Sequence, residues 1–309
     1  MLSRVLQNVK TKTYEDGRFV HDEHQYLSLI SDILEFGEKV NGRNGDTLTV
    51  CGSAMHFSLE GGTIPLLTTK KVAWKTCLRE LLWFVSGSTD NELLQKQNVK
   101  IWDGNASREF LDSRGLSNLR TNDLGPVYGH QWRHFNAPYQ SCDADYSGMG
   151  VDQLAWVIEQ LKDPETRTSR RIVMSAWNPC QLDEMALPPC HVLVQFNVLP
   201  GNRLSCSLYQ RSGDVGLGVP FNIASYSFLT HLLAKHCDLE AYELNYHLGN
   251  CHIYDDHIEP LREQMKRKPH KFPSISVKTK HSDIEKYQVD DFEVRDYVCH
   301  DTIKMTMRK

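Results

Sequence analysis

Residues 185–226 read MALPPCHVLVQFNVLPGNRLSCSLYQRSGDVGLGVPFNIASY, an apolar strand, a second alternating strand and the start of a helix, with versatile side chains gathered at the joins. Pro188 and Pro189 fix φ and remove two backbone donors, so the chain reaches Cys190 stiff and extended, with the thiol held where a strand begins. A free thiol with a pKa near ~8.5 is mostly un-ionised at neutral pH and usually just packs. Cys190 therefore reads either as a buried structural residue or as a nucleophile, with the imidazole of His191 beside it. A nearby cation, Arg211 being the leading choice, would lower the thiol pKa, and a drop to about 7 would raise the thiolate fraction more than tenfold.

Leu204 to Arg211 alternates apolar and small polar residues with period two, the pattern of a half-buried strand. Neighbours on a strand face opposite sides, so Gln210 and Arg211 share a pocket only if the strand ends there. Gly213, Gly216 and Gly218 supply such an ending. Beyond Pro220, apolar residues at 223, 226, 229 and 233 have helical spacing, which puts Asn222 near a helix start. Asn222 reads either as an N-cap or as a carboxamide offering a donor and an acceptor side by side to a cyclic amide. With Ser212 and Asp214, this turn suits an anionic, amide-bearing ligand.

The whole chain bounds that reading. At 309 residues, 40% hydrophobic and 24% charged, it can bury around three quarters of its unfolded surface, in one large domain or two small ones. A net charge of -4 argues against a general nucleic-acid binder, so any phosphate site should be local. Nine cysteines with no C-x-x-C pair point to reduced thiols and a cytoplasmic or nuclear setting. No run approaches ~18 apolar residues, so no membrane span is expected. Residues 1–24 read as an irregular arm, preceding one domain over 25–309.

Working outward, Tyr26, Ile30, Ile33 and Leu34 with Gly37 describe an amphipathic helix and its stop. In the glycine-rich GRNGDT segment, Arg43 is either a solvated turn residue or a cation folded over an anion. Leu48 to Thr69 reads as short strands and turns. Leu78, Leu81, Leu82 and Val85 form one helical stripe, while Glu80 lies among Trp83 and Phe84 on the other side. An acid between two apolar faces is expected to be buried, serving either as a proton carrier or as the partner of an arginine. Aromatic residues alternating with amides in KIWDGN and LGPVYGHQWR suit a flat heteroaromatic ligand, or a core. Residues 136–149 lack periodicity and read as a surface insertion. Arg170 and Arg171 stand before an apolar strand, a common place for surface ion pairs. His252 and Tyr254 share one side of an extended segment. The spacing of Cys251, His252 and His257 fits no structural zinc pattern, so no metal is expected. No G-x-G-x-x-G follows a strand, so no NAD(P) is expected either.

PLLTTKKV, ELLWFVSG, KIWDGN, DLGPVYGHQWRHF, RRIVMSAWNP, ALPPCH and LYQRSGDVGLGVPFNIASY together resemble the thymidylate synthases, most nearly the eukaryotic type, from about residue 25 onward. The resemblance implies an α+β (mixed α/β) fold: a large twisted mixed β-sheet flanked by helices. It implies a homodimeric methyltransferase that makes dTMP from dUMP, with 5,10-methylenetetrahydrofolate giving the carbon and the hydride and leaving as dihydrofolate. A dUMP hydroxymethylase of the same fold is the alternative. On this resemblance Cys190 attacks the pyrimidine, Glu80 and Tyr128 move protons, Asn222 reads the ring, and His191 and Asp214 complete the catalytic set. Arg43, Gln210, Arg211 and Ser212 bind the nucleotide, His252 and Tyr254 hold its sugar, and Arg170 and Arg171 reach the partner's phosphate. Ile101, Trp102, Asn105, Asp214, Leu217, Phe221 and Met307 line the folate. Three departures stand out: GRNGDT is one residue shorter than the family's loop, Asn250 replaces an Asp, and Arg308-Lys309 replaces a small apolar pair.

Overall fold

A computed structural model describes residues 21–42 and 44–308; the arm expected at the N-terminus falls largely outside this range, as do Arg43 and Lys309. The chain opens with α1 (His24–Phe36), then a hairpin of β1 (Glu38–Gly42) and β2 (Gly45–Ser58). Five helices come after it: α2 (Trp74–Val85), α3 (Asn91–Gln95), α4 (Arg108–Ser113), α5 (Tyr128–His134) and α6 (Gln153–Lys162). Next come β3 (Val173–Ser175), β4 (His191–Leu199), β5 (Arg203–Asp214), α7 (Gly218–His236) and β6 (Glu240–Tyr254). The chain closes with α8 (Ile258–Met265) and a small hairpin of β7 (Ser274–Val277) and β8 (Phe292–Arg295).

Six strands form one mixed sheet in the order β1-β2-β6-β5-β4-β3. Only β5 and β6 run parallel, and the crossover that makes this possible is α7, which lies back on the sheet. That helix is apolar almost all round and buried along nearly its whole length, as a helix enclosed by sheet on one side and other helices on the other must be. The register shows how one-sided the packing is. Val194, Leu208, Tyr246 and Met55 lie abreast across four strands and are all buried. The next row, Leu193, Tyr209, His247 and Ala54, is exposed across the same four strands, with Tyr209 45% accessible. Cross-strand neighbours share a face, so one face of the central sheet is a core and the other is open.

Three expectations need correcting. The segment after Leu48 is not a series of short strands: β2 runs unbroken for 14 residues, carrying Gly52 at φ +79 in mid-strand. The second strand does not end at Gln210 but continues to Asp214, because β6 pairs with it as far as His252. Residues 136–149 are not merely a surface insertion. Tyr139 and Tyr146 stack with centroids 5.8 Å apart, Tyr146 packs against His130, and an isolated bridge joins Phe135 to Val151. No helix among the described residues is long and apolar enough to cross a membrane.

At its N-terminal end, α1 reaches two distant parts of the chain. Glu23 is fully buried, and its carboxylate accepts the Thr68 and Thr69 amides and both their hydroxyls, the hydroxyls at 2.6 Å. Tyr26 donates its hydroxyl to the carbonyl of Val215 at 2.8 Å. Helix α1 thus ties the Thr68–Lys70 segment to the turn after β5. Removing the carboxylate strips the Thr68 and Thr69 amides and the Thr69 hydroxyl of their acceptor and leaves the Thr68 hydroxyl only the His270 carbonyl at 3.3 Å, so Glu23→Ala should lower stability by about 3 kcal/mol, read as a lower urea midpoint at unchanged slope.

Candidate active site

Cys190 stands immediately before β4, and its surroundings are set by the proline pair. Pro188 and Pro189 cannot donate to a sheet, yet their carbonyls still need partners. Arg211 supplies them: Nε donates to the Pro189 carbonyl at 2.8 Å and Nη2 to that of Pro188 at 2.9 Å. The Arg211 amide also donates to the Cys190 carbonyl, and the Cys190 amide donates to the Tyr128 hydroxyl at 2.7 Å. The nucleophile candidate is held on both sides of its peptide unit. Its acidity is not what the sequence suggested. Burial pushes the Cys190 thiol above its usual pKa, and Arg211 only partly offsets this. The expected drop to about 7 does not occur, because the half-buried thiol loses part of its hydration and Arg211 commits two of its donors to carbonyls.

Gln210 and Arg211 lie on a continuing strand and serve different sides. Gln210 is buried at the centre of a chain of polar groups. Tyr246 donates to its Oε1 at 2.7 Å, while its Nε2 donates to the Ser212 carbonyl at 2.8 Å and to Asn222 Oδ1 at 2.9 Å. Asn222 Nδ2 in turn lies 2.7 Å from His191 Nε2. Burial depresses His191 to a pKa of about 4, so at neutral pH it is uncharged and Nε2 accepts. His191 is thereby an orienting residue rather than a general acid or base at pH 7. Asn222 is not an N-cap: α7 begins four residues earlier, at Gly218, and is preceded by Leu217. With one amide hydrogen and one oxygen lone pair already engaged, the Asn222 carboxamide keeps one donor and one acceptor side by side for a ligand.

Across from these groups is an aromatic wall. Tyr128 starts α5 and lies 5.1 Å from the His191 ring, 4.7 Å from Phe84 and 6.0 Å from Trp102, centroid to centroid. Glu80 is buried in α2, as both apolar faces of that helix required, and its partner is an indole rather than an arginine: Trp102 Nε1 donates to Oε1 at 2.8 Å. Burial raises the Glu80 carboxyl to about 7, with Trp102 working in the other direction. Beside Trp102, the buried Asn105 leaves its Nδ2 without a partner among the described residues, while Ile101 is half-buried. The Phe221 carbonyl accepts the Cys77 thiol, leaving its half-buried ring near the start of α7.

The turn after β5 forms the third side. Asp214 Oδ1 accepts the Gly216 amide at 2.9 Å and lies 3.6 Å from His257 Nδ1. Lys70 donates to the Gly216 carbonyl from below, and burial brings its pKa down to about 8. His252 and Tyr254 do share a side of β6, with ring centroids 5.2 Å apart, and Asn250 Oδ1 lies 2.9 Å from His252 Nδ1. Ser212 and Leu217 are half-buried, and Met307 is 49% exposed. Arg43 lies outside the described residues. Arg170 and Arg171 are exposed, and the register carries them away from this cluster: Ser175 pairs with Leu193 and Val173 with Gln195, so earlier residues run toward the far end of β4. Within one chain they do not join Cys190.

Lys70 and Trp177 lie inside the motifs PLLTTKKV and RRIVMSAWNP without a role being inferred from them, His257 entered only as an ill-spaced metal candidate, and nothing in the sequence marks Tyr246; the Trp177 ring lies 5.6 Å from the Arg211 guanidinium. Among the described residues, Asp90, Cys142 and Asp143 bring metal-type ligand atoms within 4.8 Å of one another, but Arg120 already bridges the two carboxylates.

Comparison with known proteins gives a consistent picture. The family model described as thymidylate synthase matches residues 24–309. The thymidylate synthase of Saccharomyces cerevisiae is 51% identical over 93% of this chain and 97% of its own length. That of Ascaris suum is 50% identical over 95% and 99% respectively. The bifunctional dihydrofolate reductase-thymidylate synthase of Leishmania major is 50% identical, and the chain spans 55% of that relative, about half the length of the bifunctional proteins it matches.

The electrostatics at Cys190 can be checked by alkylation. Iodoacetamide labelling, measured on the Cys190 peptide by mass spectrometry so that exposed Cys51 and Cys180 do not interfere, should be slow at pH 7 and rise with pH beyond the usual thiol range. Arg211→Gln should move the rise to still higher pH, since it removes the guanidinium that lowers the pKa; an unmoved profile would show that Arg211 does not act on the thiol.

Proposed function

The chain belongs to the thymidylate synthase family, and on that premise we propose that it converts dUMP to dTMP, with 5,10-methylenetetrahydrofolate as co-substrate and dihydrofolate as second product. The observation that carries this reading is the half-engaged Asn222 carboxamide, held between Gln210 and His191, the residue next to Cys190. Its remaining donor and acceptor complement the N3–H and O4 of a uracil ring. A cytosine ring presents the opposite pattern on that edge, and a mismatched buried polar pair can cost several powers of ten.

The residues then have distinct tasks. Cys190 Sγ bonds to C6 of the uracil and the ring electrons shift through C5 toward O4, making C5 nucleophilic; the same S–C bond breaks at the end. With the thiol pKa raised by burial, Arg211 is the neighbour that favours the thiolate. Glu80, raised by burial to about 7, sits near neutral pH where it can give or take a proton at the ring. Tyr128 is pushed well above its usual value by burial, so it stays protonated and passes the C5 proton along with water rather than acting as a phenolate. The orphaned Asn105 amide, the Trp102 indole, Ile101, Leu217, Phe221, Asp214 and Met307 would hold the folate, a donor and acceptor set with apolar walls that fits a pterin. When bound, that co-substrate supplies the one-carbon unit and the hydride. Arg43, Arg211 and Ser212 take the phosphate, and His252 and Tyr254 the sugar hydroxyl.

The reading includes a second copy. The open row of Leu193, Tyr209, His247 and Ala54 supports a symmetric sheet-to-sheet contact, which would bring Arg170 and Arg171 of each copy to the other's phosphate. The free thiols suit a reducing, cytoplasmic or nuclear setting.

Incubation with dUMP and methylenetetrahydrofolate should produce dTMP and dihydrofolate, and Cys190→Ser should cut the rate by at least about three orders of magnitude. Formation of 5-hydroxymethyl-dUMP with tetrahydrofolate would replace this reading by the hydroxymethylase. For the shared site, Cys190→Ala and Arg171→Ala chains, each nearly inactive alone, should recover about a quarter of normal activity when mixed and re-associated, since half the pairs carry one intact site. No recovery would put Arg171 outside the partner's site.

A further inference from the structure

His257 lies where β6 gives way to α8, and its side chain is fully buried. Its two ring nitrogens face two acceptors. Nε2 is 2.8 Å from the Thr306 carbonyl oxygen; Nδ1 is 3.6 Å from Asp214 Oδ1 and makes no hydrogen bond among the described residues. A neutral imidazole has one N–H, so in either tautomer one nitrogen lone pair confronts an oxygen lone pair. Only the imidazolium donates to both.

The same point is where the C-terminal segment crosses the turn after β5. A Cβ built on Gly216 would lie 2.6 Å from His257 Nδ1, 3.1 Å from Met305 Sδ and 3.2 Å from Asp214 Oδ1, so no side chain fits between them. Farther along, Arg308 Nη2 reaches Asp255 Oδ1 at 3.1 Å and Asp256 Oδ1 at 2.8 Å, with its guanidinium 5.5 Å from the Tyr254 ring. The segment is therefore pinned twice, by a charge pair at the rim and by an imidazole beneath.

We propose that His257 is a positioning residue that couples its own protonation to the seating of residues 303–308 on the Asp214 turn. The coupling rests on this geometry alone. Its consequence, that proton uptake aligns Asp214 and the segment for the folate, rests on the function proposed above. The groups around the ring have mixed signs. Asp214 and Asp256, the latter 3.8 Å from Nε2, favour the cation, whereas His252 opposes it. Lys70 offsets Asp214 from the other side, Arg308 is engaged with Asp255 and Asp256, and the Tyr254 ring is 5.6 Å away. Burial works against the charge, yet Asp214, the Thr306 carbonyl and Asp256 together hold the His257 pKa above 6.5. A raised value in the seated state means that seating is strongest below the ordinary histidine pKa and weakens as pH rises through the raised one.

The test monitors the methyl group of Met305 by NMR in the full chain labelled at methionine methyls, from about pH 5.5 to pH 8.5. The seated-to-released ratio should fall with rising pH, about tenfold for each unit by which seating raises the histidine pKa. His257→Gln should abolish that fall below the range in which Lys70 titrates, at about 8. Arg308→Gln should lower the ratio at every pH and keep its slope. Should His257→Gln fail to fold, Asp214→Asn must move the midpoint to lower pH. A wild-type ratio that does not change, a His257→Gln slope equal to the wild type, or an unmoved midpoint in Asp214→Asn each overturns the coupling. None of these readouts needs turnover, so a failed methylation assay and a failed titration remain separate results.

Discussion

Two consecutive prolines deprive the chain of two N–H donors just ahead of Cys190, and Arg211 makes good the deficit from the next strand. That clamp is possible only because β5 runs alongside β4 with Gln210 opposite His191, which sets the Arg211 amide against the Cys190 carbonyl. The register of one strand pair therefore fixes the thiol, the guanidinium that acts on it and the buried glutamine behind them. Slipping β5 by one residue would turn Gln210 outward and Arg211 into the core, breaking the amide chain to Asn222 and the proline clamp together.

Burial then acts in one sense on five titratable groups of the site. It raises Cys190 and Glu80, lowers His191 and Lys70, and keeps Tyr128 protonated. In each case the neutral form gains. Among such groups, shielded from water, the charge of a bound anion would be felt more strongly than in a polar cleft. Hydrogen-bond direction, set by neutral His191 and by Gln210, is what remains to discriminate one ring from another. The amide chain ends at Tyr246 in the core, so the orientation of Asn222 is anchored through β6 rather than through solvent.

The part of this architecture legible in the sequence is local. Periodicity suffices for the stripe of α1 and the burial of Glu80, because a helix with two apolar faces leaves an acid nowhere wet to go. The N-cap reading of Asn222 fails because Gly216 and Gly218 look like breakers. Helix α7 nevertheless starts at Gly218, and Pro220 is harmless in a first turn that has no amide acceptors to lose. The glycine in β2 misleads in the same way, since Gly52 carries a positive φ without ending the strand. The sign of the Cys190 shift is out of reach of the sequence, for it depends on how much protein lies over the thiol. Glu23 with Thr68, Lys70 with Gly216 and Tyr26 with Val215 are separated by 45, 146 and 189 residues, and no spacing rule connects them.

These long-range pairs have a common destination. Tyr26 holds Val215, Lys70 holds Gly216, and Glu23 fixes the segment from which Lys70 projects, so three residues early in the chain support the turn that carries Asp214. The C-terminal segment presses on the same turn from outside, through Met305 and His257. A turn supported from below by buried donors and loaded from above by the C-terminal segment responds to the proton on His257 and, at higher pH, to the one on Lys70. The parallel β5–α7–β6 crossover explains why such support is needed: the chain must leave β5 at Asp214 and enter α7 within four residues, and beyond the bond from the Val215 amide to the His252 carbonyl the link parts from the sheet. Backbone groups that the sheet cannot satisfy there are satisfied by side chains from both ends of the sequence, which is how this site comes to depend on its termini.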